Sequence, residues 1–432
     1  MVNNKKRKRI LITNIVTLNP GDAAILQGMF QILRQKYGED ANIVVFDRLA
    51  AAASRYYPWA SFRQSVFGHP PKGKFARVLQ RLGYGHWNDR LRYWLLRSCV
   101  ALIRSRLAFI PRVLIRQEDY SALQEYCAAD VVISTGGTYL IENYNLWPAI
   151  YDYRLTLACG RPLVFFTQSL GPYHRPKYQA AFRNIFRQAH GIFVRDQKSW
   201  DHVSALGVGE SNIVLGKDAA FVLEPNKAAA SIQDGALTPK QKLKVAVSVR
   251  SLHFFDDPEK DLESNYVSCV VAMVEQAVRE FGAEVTFLST CQGIEEYWTD
   301  DAEYAQVVFE SLSPDVEPYV KLDTAFRQPV EVVDAYQQFD LVIATRMHAA
   351  ILGLVAGTPV LGIAYEFKLE ELFHQLGMDA ARLSTKSMEP EQSRAMVSDI
   401  LTHLTDWQKK VRAVQADCSR QAAAVMDKLP NV

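Results

Sequence analysis

Hydrophobic residues in this chain fall into short unbroken runs that alternate with stretches of helical period. Apolar runs of about four to eight residues bounded by turns mark buried strands, and their alternation with helices marks a parallel sheet. The pattern predicts strands at Arg9–Asn14, Asn42–Asp47, Asp130–Ser134, Pro162–Thr167 and Gly191–Arg195. Helices are predicted between them at Asp22–Tyr37, Tyr120–Tyr126, Trp147–Ala158, Tyr178–Gln188 and Lys198–Leu206. Glu224–Gln241 has no apolar period and reads as a linker. The alternation then restarts, with strands at Lys244–Val249, Glu284–Leu288, Phe339–Ala344 and Thr358–Ile363. The second set of helices is predicted at Tyr266–Phe281, Asp301–Leu312, Val330–Gln337 and Ala349–Gly357. Pro390 to Lys428 is helical and amphipathic.

The expected fold is therefore α/β, with two Rossmann-like doubly wound domains facing a cleft. The first spans 1–223, the linker 224–241, the second 242–388, and C-terminal helices occupy 389–432. A length of 432 residues has room for both domains, and 49% hydrophobic with 22% charged residues is an ordinary globular balance. A net charge of +2 gives no electrostatic case for a nucleic-acid partner. Six cysteines lie scattered without a CxxC pair, which argues for reduced thiols and against zinc or a disulfide framework. Ile10–Ile12 is too short for a signal-peptide core, and no run of about 18 apolar residues occurs. The chain is expected to be cytoplasmic.

Charge changes that picture in one place. From Ala51 to Arg116 the chain holds thirteen Lys or Arg and a single acid, Asp89, among many aromatic residues. The rest of the chain must be net acidic. This basic aromatic insertion (51–116) has two readings: an element that contacts an anionic membrane surface, or a helical insertion whose arginines cover the domain. On the first, reversing the charge of Arg92, Arg97 and Arg104 should reduce liposome binding.

Candidate chemistry collects where strands end, the place where open α/β sheets bind ligands. Thr345-Arg346-Met347-His348 follows a strand and opens a helix, so a guanidinium and an imidazole stand at a helix N-terminus that favours anions. Asn19-Pro20-Gly21-Asp22 follows the first strand, with a glycine that permits close approach and an Asp suited to capping. Gly136-Gly137-Thr138 either lets a ligand touch the backbone beside a hydroxyl or is a plain tight turn, and Gln168-Ser169 offers uncharged donors suited to a polyol. Arg195 and Arg250 each follow a strand, and Lys368 lies just past the strand after His348. No Walker A loop, GxGxxG, GxSxG, HExxH or Asp-rich metal motif occurs, so no metal or nucleotide cofactor is expected.

Taken in order, Asn19-Pro20-Gly21-Asp22, Gly136-Gly137, Gln168-Ser169-Leu170-Gly171-Pro172, Val194-Arg195-Asp196, Arg346-Met347-His348 and Lys368 resemble the motifs of the polysaccharide pyruvyl transferases. The resemblance covers nearly the whole chain outside the insertion and the C-terminal tail. It implies the two-domain GT-B architecture and transfer of pyruvyl from phosphoenolpyruvate, a co-substrate, to two hydroxyls of a sugar as a cyclic ketal. It also implies that Arg195, Arg346, Met347 and Lys368 bind phosphoenolpyruvate while His348 is the general acid/base. Asn19, Gly21, Asp22, Gly136, Gly137, Thr138, Gln168, Ser169 and Arg250 remain candidates on the acceptor side. Ala23 departs from the acidic residue many members carry there.

Phosphoenolpyruvate carries about three negative charges near neutral pH, which two Arg and one Lys match by count. On this reading His348→Ala abolishes turnover and spares phosphoenolpyruvate binding, whereas Arg346→Ala damages that binding. The acceptor is expected to be a saccharide of a surface polysaccharide or its lipid-linked precursor, reached from the inner face of the membrane. Two other readings stand beside it: a GT-B glycosyltransferase using a nucleotide sugar, and a non-catalytic glycan-binding subunit.

Overall fold

The computed structural model describes residues 7–68, 85–105, 107, 109–226, 242–252 and 262–432. The chain forms two compact units: Met1–Thr17 with Met29–Ala219 and Gln421–Val432, and Leu18–Gly28 with Ala220–Arg420.

The first unit is built on an eight-stranded sheet. Its strands are β1 (Arg9–Ile15), β2 (Asn42–Asp47), β3 (Ser61–Gln64), β4 (Val131–Ser134), β5 (Gly137–Leu140), β6 (Leu163–Leu170), β7 (Gly191–Val194) and β8 (Ile213–Leu215). They lie in the order β3-β2-β1-β4-β6-β7-β8, with β5 paired to β6, and every pairing is parallel. β4, β6 and β7 are buried along their whole length, as central strands of a doubly wound sheet should be. Asn14 and Thr167 adopt left-handed backbone at φ 60° and 41°, each where the register of its strand shifts. These are bulges near strand ends, where ligand sites of such sheets lie.

The second unit carries six strands: β9 (Lys244–Ser248), β10 (Glu284–Leu288), β11 (Val320–Asp323), β12 (Leu341–Ala344), β13 (Val360–Ala364) and β14 (Arg382–Ser384). The order is β11-β10-β9-β12-β13-β14, again all parallel. The chain winds outward from β9 to β11, then returns to β12 on the other side of β9. The β9/β12 boundary is thus the topological switch point, where the crevice of a doubly wound sheet opens. β12 is fully buried, which its Leu341-Val342-Ile343-Ala344 run requires.

Helix starts follow local capping chemistry. Asp196 accepts from Ser199 N at 2.7 Å ahead of Gln197–Ala205, and Asp300 from Ala302 N at 2.8 Å ahead of Asp301–Phe309. Gln328 and Glu331 form a capping box at Pro329–Tyr336. The C-terminal segment is helical, as expected, over Pro390–Thr402, Leu404–Ala423 and Ala424–Lys428. Its last residues return to the first unit, where Tyr37 donates to the Pro430 carbonyl at 2.9 Å.

Two expectations are corrected. Gly137 does not close a tight turn: with φ of 117° it opens β5, which runs beside β6. The basic insertion is not a purely helical appendage either. It supplies the edge strand β3 and buries Phe67, Tyr93, Leu96, Cys99 and Val100 in the core of the first unit. Arg92 is paired with Asp119, and Arg104 donates to the Cys159 carbonyl. Two of the three arginines picked for liposome binding are therefore tied into the structure. Within the linker, 227–241 lies outside the described residues, as does 69–84 within the insertion.

Candidate active site

In the second unit the site grows from the switch point. Arg250 follows β9 by two residues, and Arg346 follows β12 by two and caps the helix Met347–Val355. The Arg346 side chain, 14% exposed, makes a two-pronged pair with Asp301, which is 1% exposed. Nη2 donates to Oδ1 at 2.6 Å and Nε to Oδ2. This fork-to-carboxylate geometry fixes the guanidinium plane as a lysine could not. Burial pushes the Asp301 carboxyl up, while Arg346 and then Arg250 draw it back down. Burial alone would lower the Arg346 pKa, but the charge and hydrogen bonds of Asp301, with smaller effects from Cys291 and Tyr365, together outweigh it and hold it well above its ordinary value.

Arg250 is buried and bonds to neutral oxygens, donating to the Tyr365 hydroxyl and to the Ser251 carbonyl at 3.2 Å. Its guanidinium carbon sits 4.5 Å from the Tyr365 ring centroid, a cation–π contact. Burial pushes the Tyr365 phenol up to about 12, so it stays protonated. The Cys291 thiol, also pushed up to about 12 by burial, is not a nucleophile. Arg346 and Arg250 thus set two guanidinium groups within electrostatic reach of the buried Asp301 carboxylate.

His348 lies in the first turn of the helix that Arg346 caps. Against it packs the segment Leu18–Gly28, part of this same unit although it follows β1 in the chain. A Cβ at Gly21 would stand 2.2 Å from His348 Nδ1 and 2.6 Å from Cγ, so only glycine lets the imidazole rest on this backbone. Asn19 holds the turn: its Oδ1 accepts from Gly21 N at 2.9 Å, and its Nδ2 donates to the Tyr297 hydroxyl at 3.1 Å. Asp22 is buried one residue on, in the first turn of the helix Pro20–Tyr37, and its charge reaches Tyr297. Asn19, Gly21 and Asp22, predicted as acceptor-side candidates, are thus gathered with the predicted His348.

Lys368, in the helix Phe367–Gln375, donates to Glu366 at 3.3 Å and is 20% exposed. Met347 is the first residue of its helix and half-buried.

In the first unit Arg195, just past β7, is buried and paired with Asp218. Its Nε donates to Ser169 Oγ at 2.9 Å and its Nη2 to Thr138 Oγ1 at 2.8 Å. Ser169 in turn donates to Asp196 at 2.8 Å. Gln168 donates to Ser134 Oγ at 2.8 Å and to the Thr135 carbonyl. Gln168 and Ser169, predicted as polyol donors, thus donate to the protein's own groups, and the Thr138 hydroxyl accepts from Arg195. Gly136 is buried in the bend between β4 and β5.

The charge count made from the sequence also changes. Arg195, Arg346 and Lys368 are not three uncompensated cations: Asp218, Asp301 and Glu366 each neutralise one. Those carboxylates were missed because Asp218 and Asp301 lie 23 and 45 residues from their partners. The one local signal was the Asp300-Asp301 pair at a helix start.

The profile of the family described as polysaccharide pyruvyl transferase matches residues 19–366. The chain belongs to that family. The match begins at Asn19 and ends at Glu366, so it takes in the Gly21–His348 contact and the Arg346–Asp301 pair. The chain is 24% identical over 428 residues to the amylovoran biosynthesis protein AmsJ of Erwinia amylovora, covering 95% of this chain and 96% of that one. Its fold is that of GT-B glycosyltransferases and epimerases. HepE of Anabaena in complex with UDP-glucose superposes with a TM-score of 0.55 at 12% identity, covering 97% of each chain. UDP-GlcNAc 2-epimerase of Neisseria meningitidis superposes with a TM-score of 0.55 at 8% identity, covering 98% and 99%. Among the described residues no helix is long and apolar enough to cross a membrane.

Proposed function

We propose that this pyruvyl transferase moves the pyruvyl unit of phosphoenolpyruvate onto two hydroxyls of a sugar in a surface polysaccharide or its lipid-linked precursor. The observation that carries the reading is the imidazole of His348 seated on the Gly21 backbone, two residues along the chain from Arg346 of the Arg346–Asp301 pair. The relation to a protein named for amylovoran biosynthesis supports a polysaccharide acceptor.

Arg346 and Arg250, the arginines of the switch point, bind the phosphate and carboxylate of phosphoenolpyruvate, and Lys368 adds to that field. This gives Arg250 a donor-side role in place of the acceptor-side one expected from sequence. Tyr365, kept protonated, orients the Arg250 guanidinium by hydrogen bond and cation–π contact.

His348 as imidazolium delivers a proton to the methylene carbon, leaving an oxocarbenium-like centre at C2. One sugar hydroxyl adds there and gives up its proton to the imidazole. Phosphate then leaves, taking a proton, and the second hydroxyl closes the ketal. Of the two hydroxyl protons one ends in the new methyl group and one on phosphate, so no other reactant is required. A positioned His near its working pH supplies typically ~10²–10⁴-fold in rate.

Phosphate release from phosphoenolpyruvate, screened over a panel of acceptor glycans, tests the reading. Release that tracks ketal formation with one acceptor class is expected, and should disappear in His348→Ala while phosphoenolpyruvate still binds. Absence of release with every acceptor would leave the glycan-binding reading instead.

A further inference from the structure

The helix Gly85–Ile103 is apolar on two opposite sides. One side buries Tyr93, Leu96, Cys99 and Val100 in the core of the first unit. The opposite side presents Leu91, Trp94 and Leu95, which are 60%, 51% and 46% exposed and share one face at spacings of three and four. The short helix Ile110–Leu114 packs against this helix and adds Val113 and Leu114, 86% and 59% exposed. Of the fourteen large hydrophobic side chains exposed among the described residues, seven lie between Leu91 and Leu114. A concentration of this kind on a protein surface marks an interaction site.

The charge around the patch decides its partner. From Arg90 to Arg116 the sequence contains no acidic residue. Arg90, Arg97, Arg112 and Arg116 are exposed along the same stretch. Arg97 lies over the Trp94 ring at 5.3 Å, its charge at the border of the apolar stripe. A protein partner would answer such a face with carboxylates placed one by one. A bilayer answers it with a sheet of anionic headgroups for the arginines and acyl chains for Leu, Trp and Val.

We propose that this two-helix face docks the protein on an anionic lipid bilayer surface. The apolar side chains enter the headgroup boundary, and Arg97 and Arg112 sit among the phosphates. If the transfer proposed above holds, docking brings the enzyme to a lipid-linked acceptor, but the docking itself rests on the patch alone. Arg92 and Arg104 do not take part, because both are engaged within the protein.

The test is co-sedimentation of the full chain with vesicles of phosphatidylcholine, alone or with phosphatidylglycerol, without phosphoenolpyruvate or acceptor. Pelleting with the anionic vesicles only is expected. Arg97→Gln with Arg112→Gln should lower the partition coefficient roughly 25-fold, about fivefold per arginine. Leu91→Ser with Trp94→Ser should abolish pelleting without lowering the unfolding midpoint, since both side chains face outward. Equal pelleting with neutral vesicles, no pelleting, or an apolar variant that pellets like the parent would each overturn the proposal. So would size-exclusion showing a dimer that the apolar variant dissociates. Because no turnover is measured, failure here leaves the pyruvyl-transfer reading standing.

Discussion

At the scale of single residues, the site depends on two close fits. The first is His348 on Gly21. A methyl group at Gly21 would overlap the imidazole, and the ring must swing away because the backbone beneath it is held by Asn19. A catalytic group displaced by about 1 Å can cost roughly 10²-fold in rate. Gly21→Ala should therefore lower kcat for phosphate release by about that factor with little change in phosphoenolpyruvate affinity. Unchanged kcat would mean the imidazole does not work from this position. The second fit is Arg346 on Asp301. Removing Arg346 altogether strands a buried carboxylate, typically a loss of about 3–5 kcal/mol, so Arg346→Ala confounds binding with stability. Arg346→Lys keeps the charge but not the fork. It should weaken phosphoenolpyruvate binding by about tenfold or more by calorimetry and leave the unfolding midpoint closer to the parent than Arg346→Ala does. Equal affinity would remove Arg346 from the binding group.

At the scale of elements, the helix Trp147–Ala158 carries a buried carboxyl that no step of the reaction uses. Asp152 accepts from the Tyr126 hydroxyl, and burial pushes it up to about 6. A carboxyl whose folded pKa is raised stabilises the fold below its unfolded pKa, near 3.8, and loses that contribution as pH rises through about 6. Between pH 5 and pH 8 the loss is about 1–2 kcal/mol. Urea unfolding of Asp152→Asn against the parent should show the stability gap shifting in favour of the variant by that amount at pH 8. A gap independent of pH would mean that Asp152 does not titrate in this range. This helix was also among the elements most legible in the sequence, because its run is long and mostly apolar, Pro148 marks its start and Gly160 follows its end. The long central strands were legible for the same reason. The edge strands β3, β8, β11 and β14 were not: β3, β11 and β14 lack the apolar runs of the comparably short β4, β7 and β12, β8 runs for only three residues, and each owes its form to a single neighbour. β5 was hidden by the glycine that opens it. The strand-end placement of Arg250, Arg346 and His348 could be read because the fold class dictates it. Asp301 and Asp218 could not, because ion pairing acts across space and leaves no period in the chain.

At the scale of the whole molecule, the fold alone does not choose the ligand. The same two-unit architecture appears, at 8–12% identity, in proteins whose structures contain UDP-sugars, and shared folds host unrelated chemistries. The choice must come from the switch-point groups. A nucleotide sugar needs a surface for its base and ribose as well as charge for its diphosphate. Phosphoenolpyruvate is small and densely anionic, and the two guanidinium groups of the switch point, Arg250 and Arg346, suit it. Any ligand that binds only the folded protein stabilises it by about 2.7 kcal/mol at a hundredfold excess over its Kd. In a domain of this size that raises Tm by roughly 2–4 °C for each kcal/mol. Phosphoenolpyruvate at saturating concentration should therefore raise the midpoint by about 5–10 °C, and UDP-glucose at the same concentration should leave it unmoved. The rise should shrink in Arg346→Lys and persist in His348→Ala, because the first residue binds the anion and the second moves a proton. The opposite ligand preference would assign these arginines to a diphosphate and make the chain a user of nucleotide sugars.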